Sequence, residues 1–269
     1  MRHRLLGMSG KRLRLRRLLS PQHRAVVVPL DHGVSDGPLD GIQDPLVAIR
    51  AVVAGGADSI VVHKGLMRYL DAELLGGAGV WMHISASTVA NPDWNDKRLV
   101  ASVDEAARLG ADGVSIHVNV GATSESRMVE DFGRISGACE AAGMPLLAMC
   151  YPRGPAVADP HDTRLVAHAA RLADELGADV VKVPYTGQPD TFTQVTAGVK
   201  IPVLISGGPK TDSDDAFLTM VHGSLVGGGA GVSTGRNLWQ HRDPAAITRA
   251  IAALIHDGVD VDAARKHLE

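Results

Sequence analysis

The sequence predicts a TIM barrel, the closed (β/α)8 fold, with a short N-terminal helical extension. Short β-branched runs alternate with longer helical stretches, which is typical of parallel βαβ units. The triplet Gly-Ala-Asp also occurs three times between a predicted helix and a predicted strand. The length of 269 residues fits one such barrel, which commonly occupies about 250 residues. Because no linker-like segment divides the chain, we expect a single domain over residues 1–269.

Eight runs have the composition of buried parallel strands. In chain order they are Ala25–Asp31, Ser59–Lys64, Val80–Ser85, Gly113–Asn119, Pro145–Tyr151, Asp179–Tyr185, Pro202–Ser206 and Ala230–Gly235. The helical stretches include Asp44–Ala54, Val103–Leu109, Met128–Ala142, Asp162–Leu176, Ser213–Val226 and Pro244–Ile255. Ser102, followed three residues later by Glu105, matches a capping box at the start of one of these helices.

The Gly-Ala-Asp triplets begin at Gly56, Gly110 and Gly177. Glycine can end a helix in the left-handed conformation, which residues with a Cβ adopt only at a cost. The same turn used three times indicates one repeated unit, and eight such units close into a barrel. A doubly wound open sheet is the alternative, but it would more often carry a glycine-rich dinucleotide loop after its first strand. Here that strand is followed by Asp-His-Gly-Val-Ser-Asp-Gly-Pro (Asp31–Pro38).

Composition limits the classes of partner. The net charge is −3, with 45% hydrophobic and 21% charged residues, so we expect neither a nucleic-acid nor a membrane partner. No run approaches the roughly 20 apolar residues of a membrane span. Met1–Arg17 is basic without a long apolar core, which argues against a secretory signal. We expect Lys11–Arg17 to form an amphipathic helix whose leucines cover one end of the fold. The two cysteines, Cys139 and Cys150, suit a reducing cytosol, so a cytoplasmic location is expected.

Polar residues follow the predicted strands at their C-terminal ends, where a TIM barrel places its active site. They are Asp31, His32, Lys64, His83, His117, Asn119, Tyr151, Arg153, Lys182, Ser206–Gly208, Gly235 and Arg236.

Lys182 is the first candidate for chemistry, because Val180, Val181 and Val183 surround it. Burial disfavours the charged form of an amine, and a neutral amine can form a Schiff base with a carbonyl substrate. A lysine that extends from a strand end to the surface is the alternative. Lys64 also ends an apolar strand and could be the nucleophile or a second cation. Its position at the end of the strand suggests better solvent access, so Lys182 is favoured.

Two further groups could carry protons for such an amine. Tyr151 ends the neighbouring strand, and its phenol can exchange a proton beside a Schiff base; it could instead be a rim tyrosine with a polar handle. Asp31 ends the first strand and could act as general acid and base, or cap the following turn. Lys182, Tyr151 and Asp31 together fit a Schiff-base aldolase acting on a phosphorylated ketose.

The loops after the last two strands have the composition of a phosphate site. Ser206–Pro209 reads Ser-Gly-Gly-Pro, and Ser233–Asn237 reads Ser-Thr-Gly-Arg-Asn. TIM barrels frequently bind phosphate between these two loops through backbone N–H groups, and Arg236 can add a charge-assisted contact. Tight turns also need glycine, but two such loops with an arginine favour phosphate binding.

A metal site is the alternative suggested by four histidines, His32, His63, His83 and His117. It would indicate a zinc-dependent hydrolase or a class II aldolase. Metal sites need several ligands from one locus, yet no strand carries a His-x-His pair, and strand alternation points His63 and Lys64 in opposite directions. We therefore expect no metal and no cofactor.

The motifs together resemble those of the DeoC/FbaB superfamily of class I aldolases over nearly the whole chain. They are Val28–Pro38, Val114–Gly121, Tyr151–Gly154, Val181–Gly187, Gly207–Thr211 and Gly235–Asn237. The resemblance implies that Lys182 is the Schiff-base lysine, Tyr151 the proton donor and Asp31 the acid/base aspartate. With the strand-end candidates, the expected substrate- and phosphate-binding residues are His32, Gly33, Val34, Ser35, Lys64, His117, Pro152, Arg153, Ser206, Gly207, Gly208, Gly235 and Arg236.

Within that superfamily the motifs are most similar to those of the 2-amino-3,7-dideoxy-D-threo-hept-6-ulosonate synthases. Such enzymes join aspartate semialdehyde to a three-carbon ketone unit from a deoxy-diulose phosphate, on the way to 3-dehydroquinate and aromatic amino acids. Archaeal-type fructose-bisphosphate aldolases usually carry Glu-His at Ser35-Asp36, which argues against that substrate. A relative that condenses aspartate semialdehyde with dihydroxyacetone phosphate, towards 3-amino-4-hydroxybenzoate, is not separated by these motifs. The resemblance also implies a homo-oligomer, often a decamer.

Overall fold

The computed structural model describes residues 9–269, which contain ten strands. They are β1 Ala25–Pro29, β2 Ser59–Val62, β3 Gly79–His83, β4 Ser85–Ala86, β5 Arg98–Leu99, β6 Gly113–Val120, β7 Leu146–Pro152, β8 Val180–Val183, β9 Val203–Ser206 and β10 Gly231–Ser233. Eight of them close into a parallel barrel in the order β1-β2-β3-β6-β7-β8-β9-β10, and β10 pairs with β1. The predicted TIM barrel is confirmed, and every predicted strand is present with ends within two residues.

The helices of the described residues surround the barrel. They are α1 Ser9–Leu18, α2 His32–Asp36, α3 Pro45–Ala54, α4 Lys64–Met67, α5 Ala72–Leu75, α6 Val103–Arg108, α7 Glu125–Ala142, α8 Thr163–Glu175, α9 Pro189–Ala197, α10 Asp214–Val226, α11 Arg236–Trp239, α12 Pro244–Ala252 and α13 Val261–Arg265, with a π-helical turn at Ala253–Asp257 and a 3-10 turn at Lys266–Leu268. The six predicted helices are confirmed. Ser102 caps α6 by accepting from the Glu105 backbone N–H at 3.1 Å. No helix in this part of the chain is long and apolar enough to cross a membrane.

The Gly-Ala-Asp repeat has a second function beyond its turn. Gly56, Gly110 and Gly177 all have φ between 85° and 96°, as predicted. The aspartate of each triplet also accepts a hydrogen bond from a backbone N–H at the start of a neighbouring strand. The pairs are Asp58 with Val26 at 2.6 Å, Asp112 with Val80 at 3.1 Å and Asp179 with Leu146 at 2.9 Å. Each aspartate therefore links the bottom of one strand to the next around the barrel.

Helix α1 includes the predicted Lys11–Arg17 segment and covers the N-terminal end of the barrel. Of the two leucines in that segment, Leu15 is buried as predicted, whereas Leu13 is exposed. Leu15 and Leu18 are buried in the inner cluster of the barrel with Trp81. The helix approaches so closely that a Cβ on Gly79 would lie 2.5 Å from the Arg17 carbonyl oxygen. The lower half of the interior is thus filled with apolar side chains.

The alternation of side chains along β8 decides which of them enter the barrel. Val180 packs in the inner cluster, whereas Val181 and Val183 pack in the outer cluster with the helices. Lys182, two residues from Val180, therefore points inward, and it lies in register with Met149 of β7 and Leu204 of β9. Inside the barrel, Lys182 forms part of a polar layer above the apolar side chains that fill the lower half.

An antiparallel hairpin, β4 with β5, interrupts the regular alternation between β3 and α6. Its loop is tied to the barrel, because Asn119 Nδ2 of β6 donates to the Asn95 carbonyl at 2.8 Å and Arg127 of α7 donates to the Lys97 carbonyl at 2.8 Å. The sequence did not predict this hairpin, which forms one wall of the site described below.

Candidate active site

A cavity of about 440 Å³ opens at the C-terminal end of the barrel. Of the residues that the sequence predicted for the site, those lining it are Asp31, His32, Val34, Ser35, His117, Tyr151, Arg153, Lys182, Ser206, Gly207, Gly208, Gly235 and Arg236. The residues of six separate chain segments thus converge on one locus.

The amine of Lys182 lies inside this cavity, although the side chain is only 7% exposed. Within residues 9–269 it makes no hydrogen bond and no ion pair. Its nearest aromatic neighbour is Tyr151, whose ring centroid is 5.9 Å from the Nζ atom. A buried amine without a protein partner is available to a carbonyl carbon, which is the arrangement that Schiff-base formation needs.

Asp31 faces this amine from the end of β1. Its Oδ1 lies 3.4 Å from His32 Nδ1, and its Oδ2 lies 3.8 Å from His83 Nε2. Burial alone would raise the pKa of Asp31, but the positive charges that His83, His32 and Lys182 carry when protonated outweigh it and hold the pKa below its usual value. The carboxylate is therefore ionised at neutral pH and can accept a proton.

The histidines around Asp31 are neutral at pH 7. Burial lowers the pKa of His83 to about 3 and lowers those of His32, His63 and His117. His83 Nδ1 lies 2.8 Å from Ser115 Oγ. Within residues 9–269 no group of three or more His, Cys, Asp or Glu side chains is arranged to hold a metal ion. Neutral imidazoles of His32, His63 and His83 therefore surround the Asp31 carboxylate.

Tyr151 lies between the two ends of the cavity. Its ring packs against His117 at 4.8 Å between centroids, and the Arg153 guanidinium lies 4.5 Å from the ring centroid. The His117 ring is fixed in turn by a 2.7 Å contact between its Nε2 and Asn119 Oδ1. The phenol hydroxyl has no hydrogen-bond partner among residues 9–269, so it is free to exchange a proton with a bound substrate.

The loops after β9 and β10 form the other end. They pack so tightly that a Cβ on Gly207 would lie 1.9 Å from Thr234 Oγ1, and one on Gly235 would lie 2.9 Å from the Pro29 carbonyl oxygen. Asn237 joins them by donating to the Gly207 carbonyl at 2.9 Å. The glycines are therefore required by close backbone approach.

Several polar atoms at this end are buried without a protein partner. Among residues 9–269 they include Ser233 Oγ, Thr234 Oγ1 and Arg236 Nε, and Ser233 and Arg236 line the cavity. Buried polar atoms without a partner are costly, and several of them in one place could bind an anion. This is the location at which the sequence predicted a phosphate.

Four predicted residues do not line the cavity: Gly33, Lys64, Asn119 and Pro152. Lys64 begins α4 and points outward, where its Nζ donates to the Val100 carbonyl at 2.9 Å and pairs with Glu105 at 3.3 Å. That ion pair also occupies the Glu105 carboxylate of the predicted capping box. The strand parity that turns His63 inward turns Lys64 away from Lys182.

Sequence reasoning missed the residues of the hairpin wall, namely Ser85, Ser87, Trp94 and Lys97. They lie in or beside a polar stretch that has neither helical nor strand periodicity. Trp94, a tryptophan inside this polar stretch, was the one sequence feature that could have indicated a residue of the site.

Comparison with known proteins agrees with this geometry. Residues 25–241 match the model of the DeoC/LacD family of aldolases. This chain belongs to the DeoC/LacD aldolase family. It is 44% identical to a 2-amino-4,5-dihydroxy-6-oxo-7-(phosphonooxy)heptanoate synthase of Streptomyces griseus, over 95% of this chain and 94% of that protein. It is 41% identical to a 2-amino-3,7-dideoxy-D-threo-hept-6-ulosonate synthase of Halobacterium salinarum, over 95% of each.

The structural comparison supplies the reaction class. An archaeal fructose-1,6-bisphosphate aldolase, whose catalytic lysine is covalently bound to the carbinolamine intermediate of its substrate, superposes with a TM-score of 0.85 at 33% identity, over 91% of this chain and 99% of that one. The chain is a class I aldolase, the class that forms a Schiff base with its substrate. The expected resemblance to this group of enzymes is confirmed.

Proposed function

We propose that this aldolase joins aspartate semialdehyde to a three-carbon ketone unit taken from a phosphorylated sugar, and that Lys182 forms the Schiff base. The observation that carries the proposal is the position of the Lys182 amine. It lies in the cavity without a protein partner among residues 9–269, with Asp31 and Tyr151 beside it and buried unpartnered polar atoms of Ser233 and Arg236 at one end.

The proposed chemistry uses each of these groups once. Lys182 Nζ adds to the ketone carbon of the donor, and the resulting carbinolamine loses water to give an iminium ion. An enamine then forms in one of two ways. Either the bond between the α and β carbons breaks, with the β-hydroxyl losing its proton and that half leaving as an aldehyde, or the α carbon loses a proton. The enamine carbon attacks the acceptor aldehyde, whose oxygen takes a proton to become a hydroxyl. Water then hydrolyses the new iminium ion and frees Lys182.

Proton transfer is divided between two residues. Asp31 is ionised, so it suits the step in which a proton is removed. A phenol hydroxyl can donate a proton, so Tyr151 suits the step in which an oxygen is protonated. The phosphate of the donor is proposed to bind Gly207, Gly208, Gly235 and Arg236, which holds the ketone in place for attack.

The names of the two curated relatives support the choice of acceptor. Both describe a seven-carbon acid with a 2-amino group and a ketone at carbon 6. An aldol addition between carbons 4 and 5 divides either product into a four-carbon amino-acid aldehyde, aspartate semialdehyde, and a three-carbon ketone. The two products differ at carbon 7, which carries a phosphate in one and no oxygen in the other.

A second candidate function follows from that difference. The Streptomyces griseus relative, at 44% identity, makes a product that retains the phosphate, as direct condensation with dihydroxyacetone phosphate would. If the same holds here, the ketone unit keeps its phosphate instead of leaving it on the other half of a deoxy-diulose phosphate.

Borohydride trapping tests the nucleophile, and product analysis tests the donor. With either phosphorylated donor, reduction should add the donor fragment to the peptide that contains Lys182. Lys182→Ala should abolish trapping and C–C bond formation, whereas the control Lys200→Ala, at an exposed lysine, should retain both. Adduct formation at Lys64, or none on any lysine, would contradict the assignment. With aspartate semialdehyde as acceptor, a seven-carbon product with or without phosphorus identifies the donor.

Three expectations from the sequence stay predictions. They are a homo-oligomeric state, a cytoplasmic location and a place in aromatic amino acid biosynthesis.

A further inference from the structure

The cavity has a second cationic end, opposite the glycine-rich loops across Tyr151. Lys97 on the hairpin and Arg153 at the end of β7 form it, and both approach the ring of Trp94, at 5.9 Å and 5.7 Å from its centroid. The Arg153 guanidinium also lies over Tyr151, as described above. The proposed donor site at the glycine loops does not use Lys97 or Trp94.

Neither cation has a carboxylate partner within 4.0 Å in the described part of the chain, although acidic residues lie nearby. Lys97 Nζ donates to Ser87 Oγ at 2.6 Å, and Ser87 Oγ donates to the Trp94 carbonyl at 2.6 Å. Burial and the neighbouring Arg153 lower the pKa of Lys97, which Asp31 and Asp36 oppose. Two cations held together without an anion between them form a site that a bound anion would complete.

The balance of charge in the whole cavity agrees with this. Besides the nucleophilic amine of Lys182, its lining contains three cations, Lys97, Arg153 and Arg236, and two carboxylates, Asp31 and Asp36. With the histidines neutral, these groups together carry one net positive charge. One anion at the glycine-rich end leaves the Lys97 and Arg153 end uncompensated, so the cavity suits reactants that bring an anion to each end.

The hairpin holds Lys97 in a fixed place beside α2. The Val89 backbone N–H donates to the Ser35 carbonyl at 3.0 Å, which joins the hairpin loop to the helix that carries Asp36. Arg127 and Asn119 fix the other side of the loop, as described above. Asp36 lines the same cavity with an exposed side chain, and its Oδ2 accepts from Ser35 Oγ at 2.5 Å. Two cations and one carboxylate thus stand at one end of the cavity.

We propose that Lys97, Arg153 and Asp36 form the acceptor subsite, which binds the α-amino-acid end of the aldehyde. The carboxylate of the acceptor lies between Lys97 and the planar guanidinium of Arg153, and its ammonium group faces Asp36. The proposal rests on the proposed function, and it assigns the residues that select an amino-acid aldehyde. Trp94 and Tyr151 form the apolar sides of this subsite.

The composition of this end favours a carboxylate over a second phosphate. The opposite end presents glycine backbone from two loops, whereas this end presents side chains only. Asp36 would repel a phosphate dianion, but it complements an ammonium group. A guanidinium fork matches the two oxygens of a carboxylate. An amino-acid aldehyde therefore satisfies all three charged groups, and a sugar phosphate satisfies two of them.

The test compares three acceptors at saturating donor: aspartate semialdehyde, succinate semialdehyde, which lacks the amino group, and propanal, which lacks both charged groups. The wild-type enzyme should prefer them in that order.

Lys97→Met should lower kcat/KM for both carboxylate acceptors by about 10- to 100-fold, the range for removing one partner of a charge-assisted contact, with little change for propanal. Asp36→Asn should lower only the value for aspartate semialdehyde and bring it close to that for succinate semialdehyde. Lys97→Arg should recover part of the activity.

The controls separate a binding role from a structural one. The loss in Lys97→Met should lie in the KM for the acceptor, with a much smaller change in the KM for the donor. Lys200→Met, at an exposed lysine, should match the wild type with all three acceptors. If a variant does not fold, the order of acceptors with the wild-type enzyme still decides the question.

Each remaining outcome overturns the proposal. Equal use of the three acceptors by the wild type would show that no subsite recognises the charged groups. A selective loss in Lys97→Met with glyceraldehyde 3-phosphate, but not with aspartate semialdehyde, would show a second phosphate site. Failure of the proposed function is distinguishable, because the wild type would then show no donor-dependent borohydride adduct on Lys182.

Discussion

Replacement of Arg236 by methionine tests the phosphate end of the cavity, because the guanidinium is held there without a partner among residues 9–269. Its Nε atom is buried and unsatisfied, so the free enzyme gains nothing from it. Leaving a buried donor unsatisfied costs about 1–3 kcal/mol. Arg236→Met should therefore not lower the melting temperature, and a small increase is the expected result.

The same change should damage catalysis with a phosphorylated donor. A hydrogen bond to a charged group contributes about 1.5–3 kcal/mol, and about 1.4 kcal/mol corresponds to a tenfold change. We therefore expect kcat/KM for dihydroxyacetone phosphate or the deoxy-diulose phosphate to fall by roughly 10- to 150-fold. With dihydroxyacetone, which has no phosphate, the fall should be less than about twofold.

The assay is steady-state kinetics with and without the donor phosphate, alongside thermal unfolding. Arg249→Met, at an exposed arginine of α12, is the matched control and should leave both measurements unchanged. An equal loss with the two donors would refute the reasoning, because it would place Arg236 at the reacting carbons or in the fold. A lower melting temperature would show that the guanidinium has a protein partner in solution.

Two further predictions concern the packing and titration of the site. Gly207→Ala should destabilise the protein by about 1–3 kcal/mol and raise the KM for phosphorylated donors, because the new Cβ would lie 1.9 Å from Thr234 Oγ1. The control is Gly133→Ala, whose Cβ meets nothing within 4 Å and which should be neutral or stabilising in denaturant unfolding. Equal behaviour of the two variants would contradict the geometry. Burial lowers the pKa of His83 to about 3. Between about pH 6.5 and 3 the unfolded chain therefore binds a proton that the folded protein does not. As the pH is lowered through this range, the free energy of unfolding decreases by up to about 1.4 kcal/mol per pH unit from this residue. His83→Gln should reduce that slope in urea unfolding measured between pH 6.5 and 4.5, and an unchanged slope would show that His83 is protonated in the folded state.

The barrel was predictable because its strands and turns carry local signals. Each strand is a short β-branched run, and the triplets at Gly56, Gly110 and Gly177 mark the junctions between helix and strand with a left-handed glycine. The hydrogen bond that each aspartate accepts from the preceding barrel strand was not predictable, because it depends on which strands are neighbours. Only the closed barrel brings Asp179 to the backbone of Leu146.

Lys182 and Lys64 show that the alternation of side chains along a strand decides which lysine enters the barrel, where composition does not. Both lysines end apolar strands, and composition alone does not separate them. In β8, Lys182 shares its face with Val180, which packs inside the barrel. In the segment of β2, Lys64 shares its face with Ile60 and Val62, which pack outside it. One residue of offset therefore places one amine in the cavity and the other beside Glu105.

The two ends of the cavity differ in how sequence encodes them. At the phosphate end the fold needs glycine itself, since a side chain on Gly207 or Gly235 would collide with neighbouring atoms, so the sequence pattern is visible. At the hairpin end the position of Lys97 is set by Asn119 and Arg127, which hold the backbone of its loop. Any residue type could occupy that position without disturbing those backbone contacts, so nothing in the local sequence marks it.

A change of acceptor would then need only new side chains on a fixed hairpin, whereas a change at the phosphate end would need a new path for two loops. Family members that share the Schiff-base chemistry should therefore differ in acceptor mainly at the positions of Asp36 and Lys97.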